Sequence, residues 1–268
     1  MTKNIVYLAS YPKSGNTWLR AIIAKSLTNN SDINSLQYLV PSFNQLLQNK
    51  YGLDDNIPID KVFEKWETLQ SFIGNASKKT ILKTHNACGK LNNTYFPLEE
   101  YTYKVIYIVR DPRDIIISWS KHRNISFDET EKNMMNEEYT AIDSDKASYS
   151  IEFLSSWDNH VNGWLRCKSP TLMIRYEDLI SDVENQISTI FRFLNIKPVC
   201  SIEDIVEATN INSLKKQENK HGFVEKKKGE NFFGEGKSYG WMKHDFNFRK
   251  IEQRFMPLLK QLNYPING

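Results

Sequence analysis

The chain has 268 residues, 40% hydrophobic and 25% charged, which suits one large α/β domain or two small ones in a soluble globular protein. With 35 basic against 32 acidic residues the net charge is only +3, too little to argue for a nucleic-acid partner, so any electrostatic specialisation must be local. Three scattered cysteines, Cys88, Cys167 and Cys200, make neither a disulfide framework nor a thiolate metal site. No apolar run approaches the length of a membrane span, and the chain enters its first strand by Ile5 without a visible signal peptide. A reducing cytoplasm is the expected setting.

In chain order, "NIVYLAS" (4–10) reads as a buried strand, and Trp18, Leu19, Ile22, Ile23 and Leu27 form a helical stripe behind it. Val62, Phe63, Trp66, Leu69 and Ile73 form a second stripe. The strands "KTILKTH" (79–85) and "KVIYIVR" (104–110) follow. Segment 124–148, with "DETEKNMMNEE", reads as irregular and mobile. A third stripe runs through Phe153, Leu154, Trp157, Val161, Trp164 and Leu165. The strand "TLMIRY" (171–176), a helix through Ile187, Ile190, Phe191 and Leu194, and a second irregular stretch at 215–240 complete the chain. Strands alternating with helices predict an α/β fold: a single domain over 1–268 with a central parallel sheet flanked by helices on both faces.

Ligands of such a sheet sit beyond the carboxyl ends of the strands. After the first strand comes "SYPKSGNTWLR". Laid on the phosphate-loop pattern G-x-x-x-x-G-K-[ST], Ser10 replaces the first glycine, Gly15 matches the second, Asn16 replaces the lysine and Thr17 matches the hydroxyl. Backbone N–H groups from Ser14 to Thr17 would face an anion at a helix N-terminus, with Lys13 reaching it from the other side. The plain alternative is a Pro-Lys-Ser-Gly turn that caps a helix.

The second strand ends in Lys83-Thr84-His85, whose outer two residues share a face of the strand. The third delivers Arg110 at its tip, suited to fork onto a phosphate, followed by Asp111 and Pro112 as a helix start and by Ser118 two turns in. Asp111 and Asp114 read as structural caps. A metal-holding nucleotide site would want aspartate where this strand has arginine. The fourth strand ends at Tyr176, and "FFGEGKSYGWMKH" makes a glycine-rich loop closed by Trp241.

In their order and spacing these segments resemble the PAPS-dependent sulfotransferases of the cytosolic type, over nearly the whole chain. "YPKSGNTW" is similar to that family's 5′-phosphosulfate loop and "RDPRDIIIS" to its 3′-phosphate motif. "KTH" and "RYEDL" fall between and after them, "VEATNINSLKK" resembles a nucleotide-contacting segment, and "FFGEGKSYGW" the closing loop. The resemblance implies a fold related to P-loop nucleotide kinases. It also implies 3′-phosphoadenylyl sulfate (PAPS) as donor, with adenosine 3′,5′-bisphosphate (PAP) as product, no metal, and a small-molecule acceptor bearing a hydroxyl or amine. It assigns Lys13, Ser14, Gly15, Asn16 and Thr17 to the 5′-phosphate and Arg110 and Ser118 to the 3′-phosphate. Trp18 and Tyr176 go to the adenine, and Thr209, Phe232 and Gly236 to further nucleotide contacts. His85 becomes the general base, with Lys13 and Lys83 stabilising the transferring group.

Two departures stand out. Where the family's closing loop carries Arg-Lys-Gly, a gapless match to Trp241 puts Gly234 and Glu235 before Gly236, and Lys237 is the favoured replacement cation over the run Lys226-Lys227-Lys228. The tail lacks a recognisable dimerisation motif, so the resemblance assigns no oligomeric state. Two other readings compete. A small-molecule kinase would need a lysine at Asn16, and a non-catalytic nucleotide-binding protein would have no reason to keep His85 and Lys83.

Overall fold

Strand parity sorts the apolar residues of the first strand onto two faces, and each face finds its own set of helices. In the computed structural model, which describes residues 3–53, 57–91, 93–145, 148–226 and 231–266 (side chains 143–145, 148 and 149 excepted), β1 spans Ile5–Ser10 and is wholly buried. Behind it come α1 (Asn16–Thr28), α2 (Leu36–Leu39), α3 (Phe43–Tyr51) and α4 (Ile59–Gly74). Then follow β2 (Thr80–Thr84), β3 (Gly89–Leu91), β4 (Thr94–Phe96), β5 (Thr102–Val109), α5 (Pro112–Arg123) and α6 (Phe127–Met135). The chain continues through β6 (Thr140–Asp145), β7 (Ser148–Phe153), α7 (Trp157–Leu165) and β8 (Thr171–Arg175). It ends with α8 (Tyr176–Ser181), α9 (Val183–Leu194), α10 (Ile202–Thr209), α11 (Ile211–His221) and α12 (Arg249–Gln261).

The four strands expected from sequence form one parallel sheet in the order β2-β1-β5-β8. Ile5, Tyr7 and Ala9 of β1 with Val105, Tyr107 and Val109 of β5 pack under α4, α5, α7 and α12. Val6, Leu8, Ile106, Ile108 and Ile174 pack on α1, α9, α10 and α11. Continuous apolar strands arise because both faces are covered. The pairs β3–β4 and β6–β7 are separate antiparallel ribbons.

Three expectations are corrected. The described part of segment 124–148, which leaves out 146 and 147, is not irregular: Ser126 caps α6 by accepting from the Glu129 N–H at 3.1 Å, Asp128 and Glu129 sit in its first turn, and β6 follows. The polar run masked a helix that buries only Thr130, Glu131 and Met134. The third stripe is shorter than predicted. Phe153 ends β7, Ser155 takes a left-handed turn (φ 58°), and α7 starts only at Trp157, with Leu165 38% exposed. The stretch 215–240 is corrected only at its ends: α11 continues to His221 and a 3₁₀ turn begins at Gly240, while the described residues between them, 222–226 and 231–239, form neither helix nor strand.

One ionic cluster fastens the end of the chain to the site. Arg113 is fully buried and forks onto Asp111 (2.9 and 2.7 Å), while a third nitrogen meets Glu252 of α12 at 2.6 Å. It also donates to the Pro265 carbonyl at 2.7 Å and stacks 3.7 Å from the centroid of Trp241. Removing one member of such a cluster leaves buried charge uncompensated. Arg113→Ala should therefore cost about 3–5 kcal/mol, read as a lower urea midpoint at unchanged slope; a loss below about 1 kcal/mol would show that the cluster is dispensable.

Candidate active site

The loop after β1 is built to leave a helix N-terminus open. Lys13 and Gly15 both take left-handed backbone conformations (φ 64° and 98°), and a Cβ on Gly15 would stand 2.6 Å from Cδ2 of Tyr176. Only glycine fits there. Gly15 lends α1 no side-chain cap, and the first turn holds no acidic residue. The buried hydroxyl of Ser14 and the Nε atoms of Trp18 and Arg110 lack hydrogen-bond partners among the described residues. Unpartnered buried donors around an uncapped helix start fit an anionic ligand.

Asn16, at the position of a nucleotide triphosphatase's lysine, turns inward and donates to the Leu8 carbonyl at 3.0 Å and to the Ser10 hydroxyl at 3.1 Å. Its side chain stitches the loop to β1, leaving its N–H for a ligand. Thr17 and Trp18 are half-buried on the first turn. Lys13 places Nζ 4.6 Å from the ring centroid of Phe232, so the glycine-rich segment before Trp241 reaches the loop after β1.

Parallel pairing of β1 with β2 sets Ala9 opposite Thr84, so Ser10 and His85 emerge side by side. The Nδ1 atom of His85 lies 2.7 Å from the Ser10 carbonyl and 3.1 Å from its hydroxyl. A carbonyl only accepts, which places the proton on Nδ1 and leaves Nε2 with its lone pair. The His85 carbonyl in turn accepts from Nε2 of His160 at 3.0 Å, and His160 Nδ1 accepts from the Tyr107 hydroxyl at 2.8 Å. Burial first, and then the charge of Lys83, hold the His85 imidazole well below its ordinary range, so it is neutral at pH 7. Burial likewise depresses His160, to about 4.

At the tip of β5, Arg110 donates to the carbonyls of Lys13 (3.0 Å) and Lys237 (3.3 Å) and lies 4.5 Å from the centroid of Tyr176. Tyr176 opens α8 and meets Trp18 edge-on at 6.0 Å. Ser118 is half-buried on α5, facing no hydrogen-bond partner among the described residues. The Thr209 hydroxyl is buried and donates to the Ile205 carbonyl at 2.7 Å, a bond inside its own helix. Gly236 is left-handed (φ 66°), and a Cβ there would come within 2.9 Å of Ile211. Lys237 departs from expectation: its side chain is 65% exposed and paired with Glu235 at 3.1 Å, so its carbonyl, not its ammonium, meets Arg110. Lys227 and Lys228 lie outside the described residues.

Sequence reasoning missed two features. Asp114, taken for a cap, accepts the N–H groups of Tyr239 (2.8 Å) and Trp241 (2.9 Å) and so ties the closing loop to α5. His160 and Tyr107 brace His85, and nothing local in "SWDNHVNGW" signals that role. Among the described residues no group of three His, Cys, Asp or Glu side chains converges, and no helix is long and apolar enough to cross a membrane.

The model of the sulfotransferase domain matches residues 3–262, and the chain belongs to that family. Cytosolic sulfotransferase 7 of Arabidopsis thaliana is 26% identical over 231 residues, 81% of this chain and 66% of its own length. Cytosolic sulfotransferase 14 of the same plant is 28% identical over 71% of this chain and 53% of its own. Human sulfotransferase 1C2 is 23% identical over 78% and 64%. The chain thus spans between about half and two thirds of these relatives. Among solved structures, retinol dehydratase in complex with androsterone and inactive cofactor PAP overlays the whole chain and 83% of its own (TM-score 0.63, 19% identity). Mouse sulfotransferase SULT7A1 complexed with PAP does so over 87% of its chain (TM-score 0.60, 18% identity). At such identities the likeness fixes the fold.

The brace behind His85 makes a testable demand on pH. An imidazole whose folded pKa lies below its unfolded value near 6.5 leaves the unfolded chain binding more protons, so stability falls as pH drops below about 6.5 and levels off near the folded value. For His160, at about 4, the loss between pH 7.5 and 5 amounts to about 2 kcal/mol. Urea unfolding at the two pH values should show a drop smaller by that amount in His160→Asn; equal drops would mean His160 is not held neutral.

Proposed function

We propose that this protein is a PAPS-dependent sulfotransferase that moves a sulfuryl group to a hydroxyl or amine of a small-molecule acceptor by in-line displacement. The observation that carries this reading is the pairing of an uncapped, lysine-flanked helix start with a neutral histidine whose Nδ1 is already committed to the Ser10 carbonyl. Family membership, the relatives' names and the PAP carried by structures of the same fold support it. The unpartnered Ser14 hydroxyl and the Trp18 and Arg110 nitrogens fit a phosphorylated nucleotide.

In this reading Ser14, Gly15, Asn16 and Thr17 hold the 5′-phosphate through backbone N–H groups, and Lys13 neutralises charge at the bridging oxygen. Arg110 and Ser118 take the 3′-phosphate. Lys237 would join them by exchanging Glu235 for the phosphate. Trp18 and Tyr176 bound the adenine, and Phe232, Gly236 and Thr209 shape its surroundings. The donor supplies an activated sulfuryl group of lower charge than a phosphoryl group, a load that lysines can balance where kinases use Mg²⁺. His85 accepts the acceptor's proton at Nε2 while Lys83 steadies the group in transit. A reducing cytoplasm is the proposed place of work.

Nucleotide choice tests the assignment. PAP should bind more tightly than 5′-AMP by on the order of 1.5–3 kcal/mol, because only PAP engages Arg110 and Ser118. Calorimetry giving equal affinities would sink the sulfotransferase reading, and strict dependence on Mg²⁺ would favour a kinase instead.

The base assignment is checked separately. His85→Ala should lower kcat by roughly 10²–10⁴ with PAP affinity nearly unchanged. Full activity on a good acceptor would return His85 to a structural role, as would a parallel collapse of PAP binding.

A further inference from the structure

Lys13 and Lys83 share their surroundings with a carboxylate that no sequence motif points to. Arg20 lies one turn beyond Asn16 on α1, with its side chain 1% exposed. Its Nε donates to the Val40 carbonyl at 3.1 Å, and its Nη1 meets Oε1 of Glu225 at 2.5 Å. Lys83 approaches the same place from the sheet. Its N–H donates to the Pro41 carbonyl at 2.9 Å, and it stands beside Leu8 in the β1–β2 register. Leu8 faces α1, so the Lys83 side chain leaves the sheet on the face where Arg20 sits. Lys13 connects through two rings: it lies over Phe232, which packs edge-on to Phe223 at 4.7 Å, two residues before Glu225.

Electrostatics agree with that placement. Burial pushes the Glu225 carboxyl up, but the charges of Arg20, Lys83 and Lys13 together hold it below the usual carboxylate range. At neutral pH it is an anion paired with Arg20 and lying in the field of Lys83 and Lys13.

We propose that Glu225 is a specificity-determining residue: an internal anion that fills the sulfuryl subsite and yields to the sulfonate of PAPS but not to PAP. The inference rests on the sulfotransferase reading. Arg20, 1% exposed, would be costly without a counter-charge, and the partly exposed Glu225 carboxylate (28%) offsets that cost. A second anion enters the same cluster only if the first withdraws, because like charges at low effective dielectric repel strongly. PAP ends at its 5′-phosphate, which the start of α1 holds, so Glu225 can stay seated beside the product. Donor affinity is thereby reduced by the fraction of time the subsite is filled from within, and product affinity is not.

The test measures PAPS, without acceptor, and PAP against the wild type, Glu225→Gln and Glu225→Ala by calorimetry. Glutamine keeps the size of the side chain and an oxygen for Arg20, while alanine removes the group. Both variants should bind PAPS about fivefold or more tightly and leave PAP within about twofold, which also shows that they are folded. Equal tightening for both nucleotides would reveal a general field effect and overturn the proposal, as would an unchanged ratio or weaker PAPS binding. A wild type that binds neither nucleotide would instead defeat the underlying reading of function.

Discussion

The bond from Nδ1 of His85 to the Ser10 carbonyl, 2.7 Å long, joins the ends of two strands that are 75 residues apart in the chain. It can form only because β1 and β2 are parallel neighbours in a register that puts Ala9 opposite Thr84. It fixes the tautomer of the imidazole, and with it the atom that can take a proton. The same Ser10 presents its hydroxyl to Asn16, so the histidine, the phosphate loop and the start of α1 are referred to one residue. Slippage of β2 by one residue would turn His85 to the opposite face and undo the arrangement.

Around that point the protein tolerates buried polar groups in proportion to how well they are held. His160 and Tyr107 form a satisfied chain behind His85, and Arg113 with Asp111 and Glu252 forms a satisfied cluster that ties α12 to the start of α5. Asp114 extends the same logic to the closing loop by taking two of its N–H groups. Ser14 and the Trp18 and Arg110 nitrogens, near the start of α1, are among the buried donors without a partner among the described residues; others, such as the indole nitrogens of Trp66 and Trp157, lie in the core.

The fold was legible in the sequence where burial is one-sided or complete. The central strands β1 and β5 read as continuous apolar runs because both faces are covered, the partly buried edge strands β2 and β8 still carry apolar centres, and α4 and α9 showed stripes because one side of each is buried. The open start of α1 was legible for a related reason: a left-handed turn into a helix calls for glycine, and Gly15 stands there. Legibility failed where structure is mostly solvated. The polar run of α6 read as loop because a helix with one narrow buried side shows little periodicity, and Phe153 and Leu154 were absorbed into α7 because a left-handed turn at Ser155 has no signature in serine.

By itself, then, the sequence determined the four-stranded sheet, the glycine turn before α1 and the residues at the strand tips, since each follows from local burial or from groups adjacent in the chain. Only the tertiary structure decided how those tips meet. It made Asp114 a pin for the closing loop, braced His85 with a histidine from α7, turned Lys237 toward Glu235, and set Glu225 beside Arg20. Each of these joins groups remote in sequence or depends on which of several nearby partners a flexible charged side chain selects. Such choices rest on differences in burial and charge that exist only once the chain has packed.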